Sequence, residues 1–118
     1  MSNHIDLGKA GESIACKYLE EKGHRIILQN YRYKHMEIDI ISMDKDVLVF
    51  TEIKARSSYA LGFPEEAVTK KKQSFLKIAA ESYCWDKPQY DKVRFDIVSI
   101  LIQLDVAKEI VHFEDAFY

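Results

Sequence analysis

Residues 36–56 read MEIDIISMDKDVLVFTEIKAR, and this stretch decides the fold. Its first part alternates acidic and apolar residues, and its second part is rich in β-branched residues, which is typical of strands. Asp44 and Lys45 lie between the two parts and favour a turn. We therefore predict a β-hairpin with strands over residues 37–43 and 47–55.

Four charged side chains of this hairpin are predicted to lie on one face of a sheet. Because side chains alternate along a strand, Glu37 and Asp39 share a face, and so do Glu52 and Lys54. A two-residue turn places Asp39 opposite Phe50 and Glu37 opposite Glu52, and a four-residue turn gives the same register. Asp39 is then diagonal to Glu52, and diagonal neighbours are within reach of each other's side chains.

Three carboxylates that converge on one face predict a metal site, since like charges placed opposite each other destabilise a sheet. A divalent cation would offset them, and carboxylate oxygens suit Mg²⁺ or Mn²⁺. In this interpretation Glu37, Asp39 and Glu52 are ligands, and Lys54 is a cation that holds an attacking water or stabilises a phosphate oxygen. Phosphodiester hydrolysis needs this set of groups. The alternative is that the charges discourage aggregation of an exposed strand edge.

The rest of the chain predicts a single α/β domain. Apolar spacing predicts helices over residues 6–22 and 65–85. The strand–helix–strand segment implies a parallel strand pair, and the first three strands should form an antiparallel meander, so the sheet is mixed. With 118 residues the chain has room for one domain, residues 1–118. The further strands are predicted over residues 24–33, 92–102 and 109–113.

The composition and the distribution of apolar residues limit the classes of protein to which this chain can belong. The formal net charge is −2, whereas nucleic-acid-binding proteins usually carry a basic surplus, although the local distribution of charge matters more than the sum. The longest apolar runs are too short to cross a bilayer, and the N-terminus lacks the pattern of a secretory signal. We therefore expect a cytoplasmic protein without a membrane partner, with Cys16 and Cys84 as reduced thiols.

Several other residues have a functional and a structural interpretation. Arg56 and the run Lys70, Lys71 and Lys72 could contact phosphates of a nucleic acid. A surface ion pair and a solvated helix face are the alternatives. Asp96 is expected to pair with Arg94 or a lysine in a structural role. The four histidines are scattered without ligand spacing. Four tyrosines could stack on bases, although aromatic residues near strand ends usually pack in the core: Tyr31, Tyr33, Tyr59 and Tyr90.

An ordered set of short motifs resembles the YraN-like family, which is itself similar to the PD-(D/E)xK nuclease superfamily of restriction endonucleases and Holliday junction resolvases. The resemblance implies an αβββαβ core with Mg²⁺ held by Asp39 and Glu52, a further ligand from the Ile53 carbonyl, and catalysis by Lys54. Glu12 matches a further acidic residue near such sites, although an acid there also suits the first turns of a helix. The motifs are residues 8–12, 30–32, 37–41, 50–56 and 94–96.

These observations lead to three hypotheses. The first is a metal-dependent endonuclease acting on DNA, with branched DNA as one candidate substrate and a homodimer as one candidate assembly. The second is a non-catalytic nucleic-acid-binding or scaffolding module with the same fold, which the net acidity favours. The third is that the acidic cluster binds a metal only to hold the hairpin together.

Overall fold

The computed structural model describes residues 7–60, 62 and 68–117, which form a five-stranded sheet with two helices. The strand order in the sheet is β1-β2-β3-β4-β5, with β3 and β4 parallel and the other neighbours antiparallel. The α/β class, the mixed sheet and the order of elements are confirmed. The elements are α1 (Leu7–Glu21), β1 (Arg25–Tyr33), β2 (Met36–Asp44), β3 (Val47–Arg56), α2 (Lys70–Cys84), β4 (Val93–Gln103) and β5 (Val106–Phe117).

Each helix covers its own part of the core. The α2-side core joins strand residues such as Leu48 and Phe50 to the inner face of α2, and the α1-side core joins β4 to α1. Ile38 packs in the α2-side core and Ile40 in the α1-side core, so strict alternation fails in this part of β2. The α2-side core contains Met36, Ile38, Ile41, Leu48, Phe50, Leu76, Ala79, Ala80 and Tyr83, and the α1-side core contains Ala15, Leu19, Ile40, Val98, Ile100 and Ile102.

The predicted hairpin forms, but its predicted register is wrong by two residues. Asp44 pairs with Val47, so the turn consists of Lys45 and Asp46 rather than Asp44 and Lys45. Phe50 therefore lies opposite Ile41 and not opposite Asp39. The observed register matches apolar side chains across the two strands in the α2-side core, which explains why it is favoured.

The ends of two other elements also differ from the sequence prediction. The second helix was predicted to begin at Glu65, but it begins at Lys70, because the Thr69 side chain accepts a hydrogen bond from the Lys72 N–H and caps it. Residues 63–67 lie outside the described part of the chain. The fifth strand is longer than predicted, since it pairs with β4 from Val106 to Phe117.

Cys16 and Cys84 are both free thiols, as expected from the sequence. Within the described residues, no helix is long and apolar enough to cross a membrane.

Gly11 sets the distance between α1 and the sheet. A Cβ at this position would lie 2.8 Å from Cβ of Ala55 on β3, which is closer than two carbon atoms can pack. The helix can approach β3 this closely only because the side chain is missing.

We predict that Gly11→Ala lowers the free energy of unfolding by about 1–3 kcal/mol, because the added methyl group must displace α1 or β3. Gly8→Ala is the matched control, because Gly8 lies in the same helix but is exposed. There the better helix propensity of alanine is the main effect, so stability should stay equal or rise by up to about 1 kcal/mol. Urea unfolding followed by circular dichroism measures both. Equal effects of the two substitutions would contradict the packing argument.

Candidate active site

The candidate site forms where β2 parts from β3. The described pairing of the two strands extends from the turn as far as Ile40 and Thr51. Beyond that point the Ile53 N–H donates a hydrogen bond to the Asp39 carboxylate, with 2.8 Å between N and Oδ2. A side chain therefore replaces the backbone of β2 as the partner of β3, and Asp39 is fixed across the opening.

Glu52 lies beside Asp39 and is nearly inaccessible, with only 5% of its side chain exposed. Asp39 is near enough for its charge to raise the pKa of Glu52. Lys72 Nζ lies 3.5 Å and Lys54 Nζ 3.9 Å from Glu52 Oε2. Both lysine side chains are more than a third exposed, so the carboxylate pair communicates with solvent on the side where the two ammonium groups lie.

The buried position of the two carboxyl groups raises the pKa of both. Burial, followed by the charge of Asp39, raises the pKa of Glu52 to about 7 against the opposing effect of Lys72 and Lys54. Burial also raises the pKa of Asp39, although the Ile53 N–H counteracts it. The pair therefore holds a proton more readily than two exposed carboxyl groups would. Lys72 and Lys54 partly offset the charge of what is otherwise a costly pair of buried acids.

This donor set fits a divalent cation. Mg²⁺ is commonly held by one or two carboxylates and keeps several waters, so Asp39 and Glu52 are sufficient as side-chain ligands. The N–H and C=O of one strand residue point to the same side of the strand. Since the Ile53 N–H points at Asp39, the Ile53 carbonyl also faces the opening, as a third oxygen ligand would have to.

The structure does not bring Glu37 and Glu12 into direct contact with the pair. Glu37 forms an ion pair with Arg32 at 3.6 Å, and Glu12 accepts a hydrogen bond from the Asn30 side chain at 3.1 Å. Both are near enough for their charges to raise the pKa of Asp39. Among the described residues, no three side chains of His, Cys, Asp or Glu are grouped closely enough to hold a metal ion. The carboxylates that meet are therefore a pair, not the three expected.

The four residues that were predicted to contact phosphates lie in different surroundings. Lys72 belongs to the site through Glu52, while Lys71 lies with its Nζ 5.8 Å from the centre of the Phe75 ring, and Lys70 is exposed. Arg56 donates a hydrogen bond to the Gly62 carbonyl at 2.8 Å, which ties the end of β3 to the following loop. The direct contact of Lys72 with Glu52 was not foreseen, because it depends on where α2 begins.

A second polar cluster, the buried ion cluster, surrounds Asp96 near the C-terminal end of α1. Asp96 is completely buried and accepts hydrogen bonds from Arg94 Nε and Nη2 at 2.8 and 2.9 Å and from the Asp115 N–H at 3.0 Å. His112 Nε2 lies 2.8 Å from Asp96 Oδ2, and Arg94 also binds Asp44. The expected Arg94–Asp96 pair is confirmed. The cluster connects the ends of β2, β4 and β5, which is a structural role.

We predict an acid-dependent loss of stability that originates at Asp96. Burial opposes its ionisation, but the hydrogen bonds from His112 and Arg94 outweigh burial and lower the pKa of Asp96 from 3.8 to about 2. The folded state therefore binds this proton less readily than the unfolded state. The stabilisation is complete above pH 4 and is lost as the pH falls through about 2, by roughly 2 kcal/mol.

The measurement is urea unfolding of wild type and Asp96→Asn between pH 5 and pH 2. Asp96→Asn should be less stable at pH 5 and should lose less stability on acidification. Asp46→Asn is the matched control, since Asp46 forms an exposed ion pair with Lys92, and its acid profile should follow wild type. An unchanged acid profile in Asp96→Asn would contradict the assignment.

Comparison with known proteins places the chain in a family. The model of the uncharacterised protein family UPF0102 matches residues 11–100. A UPF0102 protein of Rhodococcus jostii is 38% identical over 118 residues, covering 99% of this chain and all of the relative. One from Chlorobium phaeobacteroides is 44% identical, covering 94% of this chain and 92% of the relative. One from Natranaerobius thermophilus is 41% identical, covering 98% of this chain and 99% of the relative. The chain therefore belongs to the UPF0102 family, the family of YraN-like proteins that its motifs indicated.

Proposed function

We propose that this protein is a metal-dependent endonuclease that hydrolyses phosphodiester bonds in DNA. One observation carries the proposal: Asp39 and Glu52 lie side by side where β2 parts from β3, and the ammonium groups of Lys54 and Lys72 lie within 4 Å of Glu52. A buried pair of carboxyl groups whose charge is only partly offset by two lysines is what a divalent cation would stabilise. The resemblance to PD-(D/E)xK nucleases supports the same chemistry.

In the proposed mechanism Asp39 and Glu52 would hold Mg²⁺ or Mn²⁺, with the Ile53 carbonyl as a further ligand. When bound, the ion would polarise a phosphoryl oxygen and make a coordinated water more acidic. Asp39 orients the site, because the Ile53 N–H fixes its Oδ2 and leaves the other oxygen for a ligand. Glu52 would have to lose its proton to act as a ligand.

The lysines have distinct roles in this proposal. Lys54 lies two residues after Glu52 on the same strand, so its ammonium can orient an attacking water and stabilise negative charge on the phosphate. Lys72 approaches Glu52 from α2, and with a divalent cation held by Glu52 it would be available to a neighbouring phosphate. Arg56, Lys70 and Lys71 are the candidate contacts to phosphates farther along the strand.

We predict that Asp39→Asn, Glu52→Gln and Lys54→Ala each reduce cleavage by about 100-fold or more, since each removes a metal ligand or a charge that stabilises the transition state. The assay uses labelled duplex, single-stranded and four-way-junction DNA with Mg²⁺ or Mn²⁺, and all proteins are purified identically. Asp105→Asn is the control, because Asp105 is an exposed acid in the turn between β4 and β5. Equal cleavage by wild type and Glu52→Gln would overturn the mechanism.

A non-catalytic nucleic-acid-binding or scaffolding module is the second candidate function. The observation that favours it is that two carboxylates meet in the site where three were expected. It predicts DNA binding that is indifferent to Mg²⁺ and to Lys54→Ala, with no cleavage by wild type. The cleavage assay therefore separates the two functions, provided that binding to the same labelled DNA is measured in parallel.

We also predict that Mg²⁺ or Mn²⁺ raises the melting temperature of wild type but not of Asp39→Asn. A ligand at 100 times its Kd stabilises the folded state by about 2.7 kcal/mol, which thermal unfolding detects readily. In EDTA and below pH 7, Glu52→Gln should be about as stable as wild type, because the neutral amide replaces a carboxyl group that is mostly protonated there. Stabilisation by the metal without DNA affinity would indicate a purely structural metal. Equal stabilisation of wild type and Asp39→Asn would contradict the ligand assignment.

A further inference from the structure

An open apolar cleft lies between α2 and the end of β1, outside the candidate active site. Its volume is about 600 Å³, and its lining combines an aromatic ring from each side with aliphatic and polar side chains. Trp85 is 88% exposed and Ile78 is 44% exposed, although both are large apolar residues. Exposed apolar groups clustered in this way mark a binding surface more often than isolated ones do. The lining residues are Tyr33, Ile78, Glu81, Ser82 and Trp85.

Basic and aromatic side chains continue from this cleft towards the candidate active site. Lys34, in the turn between β1 and β2, lies with its Nζ 5.4 Å from the centre of the Tyr33 ring. Farther along α2, the Phe75 ring contacts both His35 and Lys71. Lys72, which contacts Glu52, is in the first turn of the same helix. At 1.5 Å per residue, the helix rise from residue 72 to residue 85 is about 20 Å.

We propose that this cleft binds unpaired bases of a DNA strand, with Trp85 as the stacking platform. The inference rests on the proposed nuclease function and adds the class of substrate: DNA with a single-stranded segment about 20 Å from the cut. Bases stack on aromatic side chains with little sequence preference, and lysines beside the rings hold the backbone. At 3.4 Å per stacked nucleotide, the distance corresponds to about six nucleotides.

Glu81 explains why the occupant is a single strand rather than a duplex. It lies in the cleft lining, where its carboxylate would repel a phosphate. The outer surface of a duplex would bring phosphates to this position while its bases remained stacked inside. An unpaired strand can turn its bases inward, so that a ring stacks on Trp85 and an exocyclic amino group donates to Glu81. Lys34, whose ammonium group lies beside the Tyr33 ring of the lining, is then the basic residue near the backbone.

The chain provides its own probe for this proposal, because Trp85 is its single tryptophan. We expect a single-stranded 12-nucleotide oligomer to quench the fluorescence of Trp85 saturably, and a blunt duplex of the same length to quench it much less. The titrations use Lys54→Ala protein in EDTA and again in Mg²⁺, so that the test reads binding alone. A failure of the nuclease mechanism would appear in the cleavage assay and would leave this result intact.

We predict that Trp85→Ala weakens binding of the single strand by about 5- to 150-fold, the range expected for the loss of one stacked base. Trp85→Phe should retain most of the affinity, because a phenyl ring still stacks. Leu104→Ala is the matched control, since Leu104 is 90% exposed in the turn between β4 and β5, and its affinity should equal wild type. Affinity is measured by fluorescence anisotropy of the labelled oligomer.

Two results would overturn the proposal. One is a Trp85→Ala protein that binds the single strand as tightly as wild type, with no quenching of Trp85 in the parent protein. The other is a shift of oligomeric state in Trp85→Ala, measured by analytical ultracentrifugation, with unchanged DNA affinity. That result would assign the cleft to contact between protein chains.

Discussion

The hydrogen bond from the Ile53 N–H to Asp39 is the contact on which the candidate site depends. In an uninterrupted hairpin this N–H would pair with the backbone of β2, and the opening between the strands would not exist. Because a carboxylate takes its place, β2 can diverge while β3 loses no hydrogen bond there. The same exchange fixes one oxygen of Asp39 and brings its carboxyl group against Glu52. The same hydrogen bond therefore accounts both for the local break in the pairing of β2 with β3 and for the acidic pair.

The buried ion cluster explains how the sheet tolerates that break. Asp44 and Asp96 both bind Arg94, and His112 adds β5 to the same set of contacts. Since Asp44 is the last residue of β2, the hairpin is held to β4 at the end opposite its opening. Breaking a buried ion pair by removing one partner is strongly destabilising, so this end of the sheet resists separation. Because this end of the sheet is rigid, the carboxyl groups of Asp39 and Glu52 at the other end can be held close together despite the cost of burying them.

The sequence predicted the features that depend on residues close together in the chain. Alternation along 37–43 and 47–55 was enough to predict the hairpin and to place Asp39 near Glu52, although it did not foresee that strict alternation fails between Ile38 and Ile40. The register itself depended on which apolar pairs pack against α2, and that information lies in a distant helix. For the same reason the contact of Lys72 with Glu52 was missed. The histidines appeared scattered, yet His24 and His112 have ring centres 6.2 Å apart because α1 ends over β5.

The formal net charge of −2 does not indicate which ligands the surface around the Asp39–Glu52 pair would attract. Arg94 binds both Asp44 and Asp96 and offsets part of their charge, and Glu52, with its pKa raised to about 7, is partly protonated at neutral pH, so these acids repel less than the formal count suggests. The lysines at the start of α2 remain partly or fully exposed, and they lie on the side where the carboxylate pair meets solvent. Beyond about 10 Å at moderate salt, screening removes the influence of the remaining acids. A phosphate approaching the opening would therefore respond to the local basic field and not to the formal sum.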